Sequence, residues 1–294
     1  MLGSVFALSS AFFWALAVIL FKKSGDHFSP LSLNIYKSLV AFVLVSLSMG
    51  VMNISFFPDV NAHDTLLLAL SGFLGITLAD IFFFMALNRL GASMVAVVEC
   101  LYLPSVLFFS FILLDERLGK GAVFGSLLVI CAILVGSFSP GKKTVKPNSA
   151  ILTGVLAGFL SMIFMAVGIV MIKDVLEQTN VFWATLVRVT AGCITLGAIL
   201  LFHPKRNRYL GELKFSNSWI TALPASVSGN FIALVFWVAG MKYTTASRAA
   251  ILNQMSTIFI FILAAVWLKE PITRQRGIAI CLAVTGAYLT IFSK

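Results

Sequence analysis

Charge is what this chain has least of. Asp and Glu together number 11 in 294 residues, and all charged residues make up 11% of the chain. Disorder is excluded at once, because 60% of the residues are hydrophobic and disordered chains need low hydrophobicity. Histidine is scarce too. His27, His63 and His203 lie far apart in loops. The four cysteines, Cys100, Cys131, Cys193 and Cys281, are widely spaced within apolar runs, with no CxxC pair. These spacings suit neither a zinc site nor a disulfide framework, and we expect no metal and no cofactor. Amphipathic stripes are missing as well. The apolar runs are apolar all round, which a soluble helical core does not need. A nucleotide motif is only imitated, at Gly136-x4-Gly141-Lys142. Lys143 stands at its Ser/Thr position and an apolar helix precedes it where a strand is required.

What is abundant is apolar length. The mean hydropathy is +1.03, and a bilayer accommodates surface that water would not. A helix crosses the hydrocarbon core in about 20 apolar residues. Runs of that kind fall at 2–21, 31–51, 65–88, 94–114, 120–138, 150–172, 181–202, 217–241, 247–268 and 276–292. The fold class expected is therefore an all-α polytopic membrane protein of ten transmembrane helices. The first run lacks a basic region before it and reads as a retained helix, not a cleaved signal. The stretch His203–Phe215, with Lys205, Arg206, Arg208 and Lys214, reads as a short interfacial helix.

The two halves repeat. Phe12-Phe13-Trp14-Ala15 aligns with Met162-Ile163-Phe164-Met165, and these spans end at Lys23 and Lys173. Lys37 in the second span matches Arg188 in the seventh. Gly91-Ala92-Ser93 matches Thr245-Ala246-Ser247, and Leu114-Asp115-Glu116-Arg117-Leu118 matches Leu268-Lys269-Glu270-Pro271-Ile272. The chain divides into a first repeat at 1–138, a linker at 139–149 and a second repeat at 150–294. Five spans per repeat is an odd number, so the second repeat enters the membrane from the opposite side. Such inverted repeats place a central site between the halves and permit alternating access.

Four ionisable residues fall within spans: Lys37, Asp80, Glu99 and Arg188. Intramembrane charges face a cavity or a partner. Lys37 lies about 10 Å into its span at 1.5 Å per residue. Asp80 and Glu99 flank the turn at Arg89–Ser93 at similar depth, which predicts one cluster of the three. One cation with two acids leaves one carboxylate to bind a proton or a cationic group; a buried pair that fixes helix packing is the structural alternative. Arg188 has no aligned acid, since Leu234 aligns with Asp80 and Asn253 with Glu99. It either meets the carboxylate or phosphate of a substrate, or snorkels or bonds to backbone carbonyls. Asn230, Asn253, Ser228, Gln254 and Thr257 offer neutral hydrogen bonds or polar helix packing. Trp14, Tyr36, Tyr102, Trp183 and Trp237 either line a cavity or sit at the interface. Glu116 and Glu270, in tight turns, read as capping or loop contacts.

The chain resembles an EamA-type member of the drug/metabolite transporter superfamily over essentially its full length. The likeness rests on Trp14-Ala15, the cations Lys37 and Arg188, Ala86-Leu87 before Gly91-Ala92-Ser93, Pro104, and the closers at Glu116 and Glu270. Ile258 stands where the family's usual proline of the ninth span would align. The resemblance implies ten helices and secondary transport or exchange of metabolites. The partners expected are a small-molecule substrate, the lipid bilayer and protons, with no nucleic acid, in a monomer or weak homo-oligomer. Basic residues sit in short loops and not on a face with interleaved aromatics. The location expected is a bacterial inner (plasma) membrane. A membrane-embedded enzyme or a non-transporting scaffold are the alternatives. An enzyme would need a nucleophile or paired catalytic groups, which the sequence does not display. Orientation is read two ways. Loops after the odd-numbered spans hold 13 Lys/Arg against six on the other side, which puts the termini outside, whereas the resemblance puts them inside.

Overall fold

The computed structural model describes residues 2–113, 120–137, 148–214, 219–244, 249, 252–270 and 273–292. Glu116, Ser247 and the linker up to residue 147 lie outside the described residues. Among the described residues 87% are helical and none is in a strand. In chain order the longer helical segments are α1 (Leu2–Ser24), α2 (Pro30–Val51), α3 (Ala62–Leu90), α4 (Ala92–Leu113), α5 (Lys120–Ser137), α6 (Asn148–Val170), α7 (Val181–Phe202), α8 (Trp219–Tyr243), α9 (Met255–Trp267) and α10 (Arg274–Phe292). Among the described residues, seven helices are long and apolar enough to cross a membrane. A short helix at Arg206–Glu212 has no buried residue, in keeping with the surface placement expected for that stretch. A second, at Lys173–Gln178, was not expected.

Local chemistry sets the ends. Ser29 caps α2, its Oγ accepting from Ser32 N ahead of Pro30, whose missing amide costs nothing there. Asn61 and Asn180 cap α3 and α7 with their side-chain oxygens. Gly91, at φ 84, turns α3 into α4 within one residue, a conformation that a residue with a Cβ adopts at a cost.

The helices are not uniform, and their irregularities recur at one offset. Phe73–Ala79 within α3 is wound as a π-helix, and so is Val227–Ala233 within α8, 154 residues later (227 minus 73). Helix α4 breaks at Cys100–Leu101 between Ala92–Glu99 and Tyr102–Leu113. Pro104 cannot donate to the carbonyl of Cys100, so a continuous ladder is impossible there. The matching place in the second half is interrupted at Gln254, immediately before α9, although Ile258 replaces the proline. Thr257 N there donates to Gln254 O at 3.1 Å, a tighter three-residue closure.

Packing follows the same exchange. Helix α1 lies against α8 and α9, while α6 lies against α3 and α4. Helix α2 packs on α7 and α8, and α7 on α2 and α3; α5 pairs with α10, and the first part of α4 with α9. A close approach occurs at Gly72, where an added Cβ would fall 2.1 Å from the carbonyl oxygen of Arg188. Only a bare glycine lets α7 come this close to the π segment of α3, and that approach places Arg188.

Candidate functional site

The irregular stretches of α3, α4, α8 and α9 converge on a cavity at the centre of the bundle. Its wall includes Ser10 and Trp14 of α1, Gly75, Ile76 and Asp80 of α3, Glu99 and Tyr102 of α4, Met162 and Met165 of α6, and Arg188 of α7. Asn230, Leu234 and Trp237 of α8, with Asn253, Gln254 and Ser256, close the other side. The space between atoms, open mouth included, is about 810 Å³. Non-helical backbone at membrane depth is tolerated where it lines such a cavity.

The π segment of α3 must find partners for carbonyls that its widened winding leaves over. Asn34 of α2, fully buried, supplies them: its Nδ2 donates to Ile76 O at 2.9 Å and to Thr77 O at 3.3 Å. In the second half the hydroxyl of Ser10 donates to Ala233 O at 2.9 Å. Asn34 was missed in the sequence, yet it lies three residues before Lys37 and so on the same helical face.

Lys37 Nζ reaches Asp80 Oδ2 at 2.6 Å, and both side chains are buried. The expected cluster of three is therefore a pair. Glu99 accepts instead from Trp14 Nε1 at 2.8 Å, and its second oxygen, Oε2, is buried without a partner. Depth along a helix says nothing of the direction in which a side chain leaves it. Glu99 ends the first part of α4, and it lines the central cavity.

Arg188 is 2% exposed. Its guanidinium carbon stands 5.2 Å from the centre of the Trp237 ring, a cation–π distance. Nε and Nη1 have no hydrogen-bond partner. The alternative of bonding to backbone carbonyls does not hold for those two nitrogens. Asn253 Oδ1 is a further buried acceptor without a partner. Asn230 is buried in the same wall.

The remaining polar candidates are hydrogen-bonded within the protein. Gln254 Nε2 donates to Thr257 Oγ1 at 2.8 Å and contacts Cys100 Sγ at 3.2 Å. Ser228 donates to Pro224 O at 2.7 Å. The aromatic residues divide. Trp14, Tyr102 and Trp237 line the cavity. Tyr36 packs with Phe28 and Trp219, and Trp183 Nε1 donates to Phe56 O at 3.2 Å. Glu270 is a cap: it accepts from Ala92 N at 2.9 Å, Ser93 N at 3.2 Å and Ser93 Oγ at 2.6 Å, holding the start of α4.

Comparison with known proteins agrees with this architecture. The model of the EamA-like transporter family matches residues 1–138 and again 152–292. An uncharacterized transporter of Archaeoglobus fulgidus is 24% identical over 277 residues, covering 93% of this chain and 92% of the relative. The GDP-fucose transporter 1 of Dictyostelium discoideum is 25% identical over 272 residues, covering 88% and 71%. A solved crystal structure, 17% identical, superposes with a TM-score of 0.71 over 98% of this chain and 95% of its own.

Proposed function

The chain belongs to the EamA-like transporter family, and from that premise we propose that it is a secondary transporter that moves a small polar or amphiphilic metabolite by alternating access. It is an integral membrane protein, and we assign it to a bacterial inner membrane, as a monomer or weak homo-oligomer. The reading takes the chain as ten spans in two inverted five-helix repeats, at 1–138 and 150–294. Three observations support the repeat: the twofold family match, the π segments 154 residues apart, and packing that survives exchange of the halves. Inverted repeats hold their substrate at the interface of the halves.

One observation carries the assignment above the others. A cavity at that interface contains buried charge that the protein leaves unpaired, Arg188 on one side and Glu99 Oε2 on another. A buried ion without a partner costs several kcal/mol. A chain that served only as a scaffold would gain by replacing both with apolar residues. A transported ligand gives them a purpose. The same unpaired oxygen is where a coupling proton would bind, with Trp14 holding the carboxylate in place. The Lys37–Asp80 pair then acts as a fixed, charge-balanced support for the π segment.

The test is flux through purified protein in liposomes, without ATP, against a panel of amino acids, sugar nucleotides and cationic drugs. Counterflow or gradient-driven accumulation of at least one class is expected, lost in Arg188→Gln. Flux equal to that of protein-free liposomes for every class would overturn the proposal.

A further inference from the structure

We infer that the surface stretch at 203–214 is a docking site for anionic phospholipids, whose headgroups meet Lys205, Arg206 and Lys214 while their chains cover Phe202 and Leu210. The inference goes beyond the transporter reading. It needs only that the chain sits in a bilayer, whatever the central cavity carries.

The distribution of charge is the first ground. Outside the spans, one membrane face holds 13 Lys/Arg against three acids, Asp26, Glu212 and Glu270. The other face holds six Lys/Arg against six acids. Within the spans two cations and two acids cancel. The whole formal net charge of +10 therefore stands on one face. Four of its cations, Lys205, Arg206, Arg208 and Lys214, fall within one short stretch.

That stretch has an inner and an outer side. Inward, Tyr209 and Leu213 pack on Leu31 and Ile35 of α2 and Leu196 of α7, as a spacing of four on a helix allows. Ser32 Oγ donates to Tyr209 O at 3.3 Å, and Glu212 accepts from Ser29 N at 2.8 Å. The stretch is thus fastened to the bundle and is not a free tail. Outward, Arg206, Leu210 and Lys214 follow one another at the same spacing of four, and all three are exposed, as is Lys205. Arg208 Nε is paired with Glu212 Oε1 at 3.2 Å. Among the described residues no ion pair joins Lys205, Arg206 or Lys214, and Asp26, exposed in the loop before α2, does not meet them.

Depth is the second ground. Phe202 is the last residue of α7 and is 89% exposed, with Leu201 and Leu210 also exposed. Such side chains gain by leaving water. Lys205 follows Phe202 by three residues, so the cations stand where hydrocarbon gives way to headgroups. Lys22 and Lys23 end α1 at the same end of the bundle, since the next residue, Ser24, bonds through Oγ to Thr221 Oγ1 near the start of α8 at 3.0 Å.

An anionic phospholipid answers both grounds together. Its phosphate meets unpaired cations, and its chains meet Phe202 and Leu210. Each Lys or Arg close to an anionic leaflet raises association about fivefold. A zwitterionic headgroup brings no net charge to a stretch whose four cations exceed its one acid by three. Inorganic phosphate would answer the charge but would leave the apolar side chains without a partner.

The test is lipid binding to the purified full-length protein, read by native mass spectrometry during titration with dioleoylphosphatidylglycerol or dioleoylphosphatidylcholine. Two cations at the headgroup should favour the anionic lipid at least about tenfold. Lys205→Gln/Arg206→Gln/Lys214→Gln should remove that preference. Lys142→Gln/Lys143→Gln/Lys146→Gln, which takes equal charge from the linker on the same face, should keep it. Equal occupancy by the two lipids overturns the inference. A preference lost as fully in the linker variant overturns it too, because overall charge would then be the cause. Displacement of the anionic lipid by inorganic phosphate, but not by chloride at equal ionic strength, would make this a soluble-anion site and overturn the lipid assignment. A second readout keeps every cation in place. In a background without native cysteines, a spin label on Asn207→Cys should lose mobility when phosphatidylglycerol replaces phosphatidylcholine in nanodiscs, and an unchanged spectrum would contradict the inference.

Discussion

Asp80→Asn tests the physical reading of the first half most sharply. Asp80 Oδ2 lies 2.6 Å from Lys37 Nζ, with side-chain exposures of 8% and 1%. Removing the carboxylate's charge leaves the ammonium buried beside the Phe84 ring, 5.8 Å from its centre, with nothing of opposite sign bonded to it. Breaking a buried pair by neutralising one partner costs about 3–5 kcal/mol. Replacing both partners by apolar groups removes the desolvation cost with the attraction and is often neutral or stabilising. The chain itself supplies a substitute, because Leu234 occupies the place in α8 that Asp80 occupies in α3. We therefore expect Lys37→Met/Asp80→Leu to be more stable than Asp80→Asn. The assay is SDS-driven unfolding in mixed micelles, followed by tryptophan fluorescence. A loss below about 1 kcal/mol for Asp80→Asn, the scale of an exposed pair, would show that water reaches the site. Losses that simply add in the double variant would show that the two residues do not act as a pair.

Three further outcomes follow from the geometry. Gly72→Ala places a Cβ 2.1 Å from the backbone oxygen of Arg188, which cannot rotate away; it should cost about 1–3 kcal/mol in the same unfolding assay, whereas Gly50→Ala, which meets nothing within 4 Å, should be close to neutral. Glu270→Ala removes the cap of α4 and should cost about 0.5–2 kcal/mol, with faster hydrogen exchange at Ala92 and Ser93 as its local signature. Glu212 receives Ser29 N at 2.8 Å and Arg208 Nε at 3.2 Å. Partial burial raises its carboxyl, but the hydrogen bonds from Ser29, Ser32 and Arg208 outweigh that and hold it below the ordinary range. Its contribution to stability is thus present above the ordinary carboxylate range and is lost as pH falls through the lowered value. Glu212→Gln should flatten the stability of the protein between neutral and acid pH, and an unchanged profile would contradict the assignment.

Much of the fold was legible because lipid imposes a length rule that sequence displays directly. The helices begin and end close to the apolar runs, and Ser29, Asn61 and Asn180 mark their starts by ordinary capping chemistry. The offset near 150–154 was legible as well, from Lys37 against Arg188 and Glu99 against Asn253. The π segments were not. Phe73–Ala79 reads as a normal apolar stretch, and its extra winding depends on Asn34 from another helix. The site was legible as a set of residues and not as an arrangement. Rarity of charge singled out Lys37, Asp80, Glu99 and Arg188, yet only the packing of α1 against α4 and α9 decides that Glu99 meets Trp14 and not Lys37. The break at Gln254 defied its local sequence, since Ile258 lacks the proline that explains the matching break in α4.

Alternating access is the central claim, and sidedness of the cavity tests it most directly. In a background without native cysteines, Ser256→Cys places a thiol in the cavity wall. A membrane-impermeant thiol reagent is applied to right-side-out and to inside-out vesicles. The account predicts labelling from both sides, slowed from both by a transported ligand. Labelling from one side alone, with or without ligand, would contradict it.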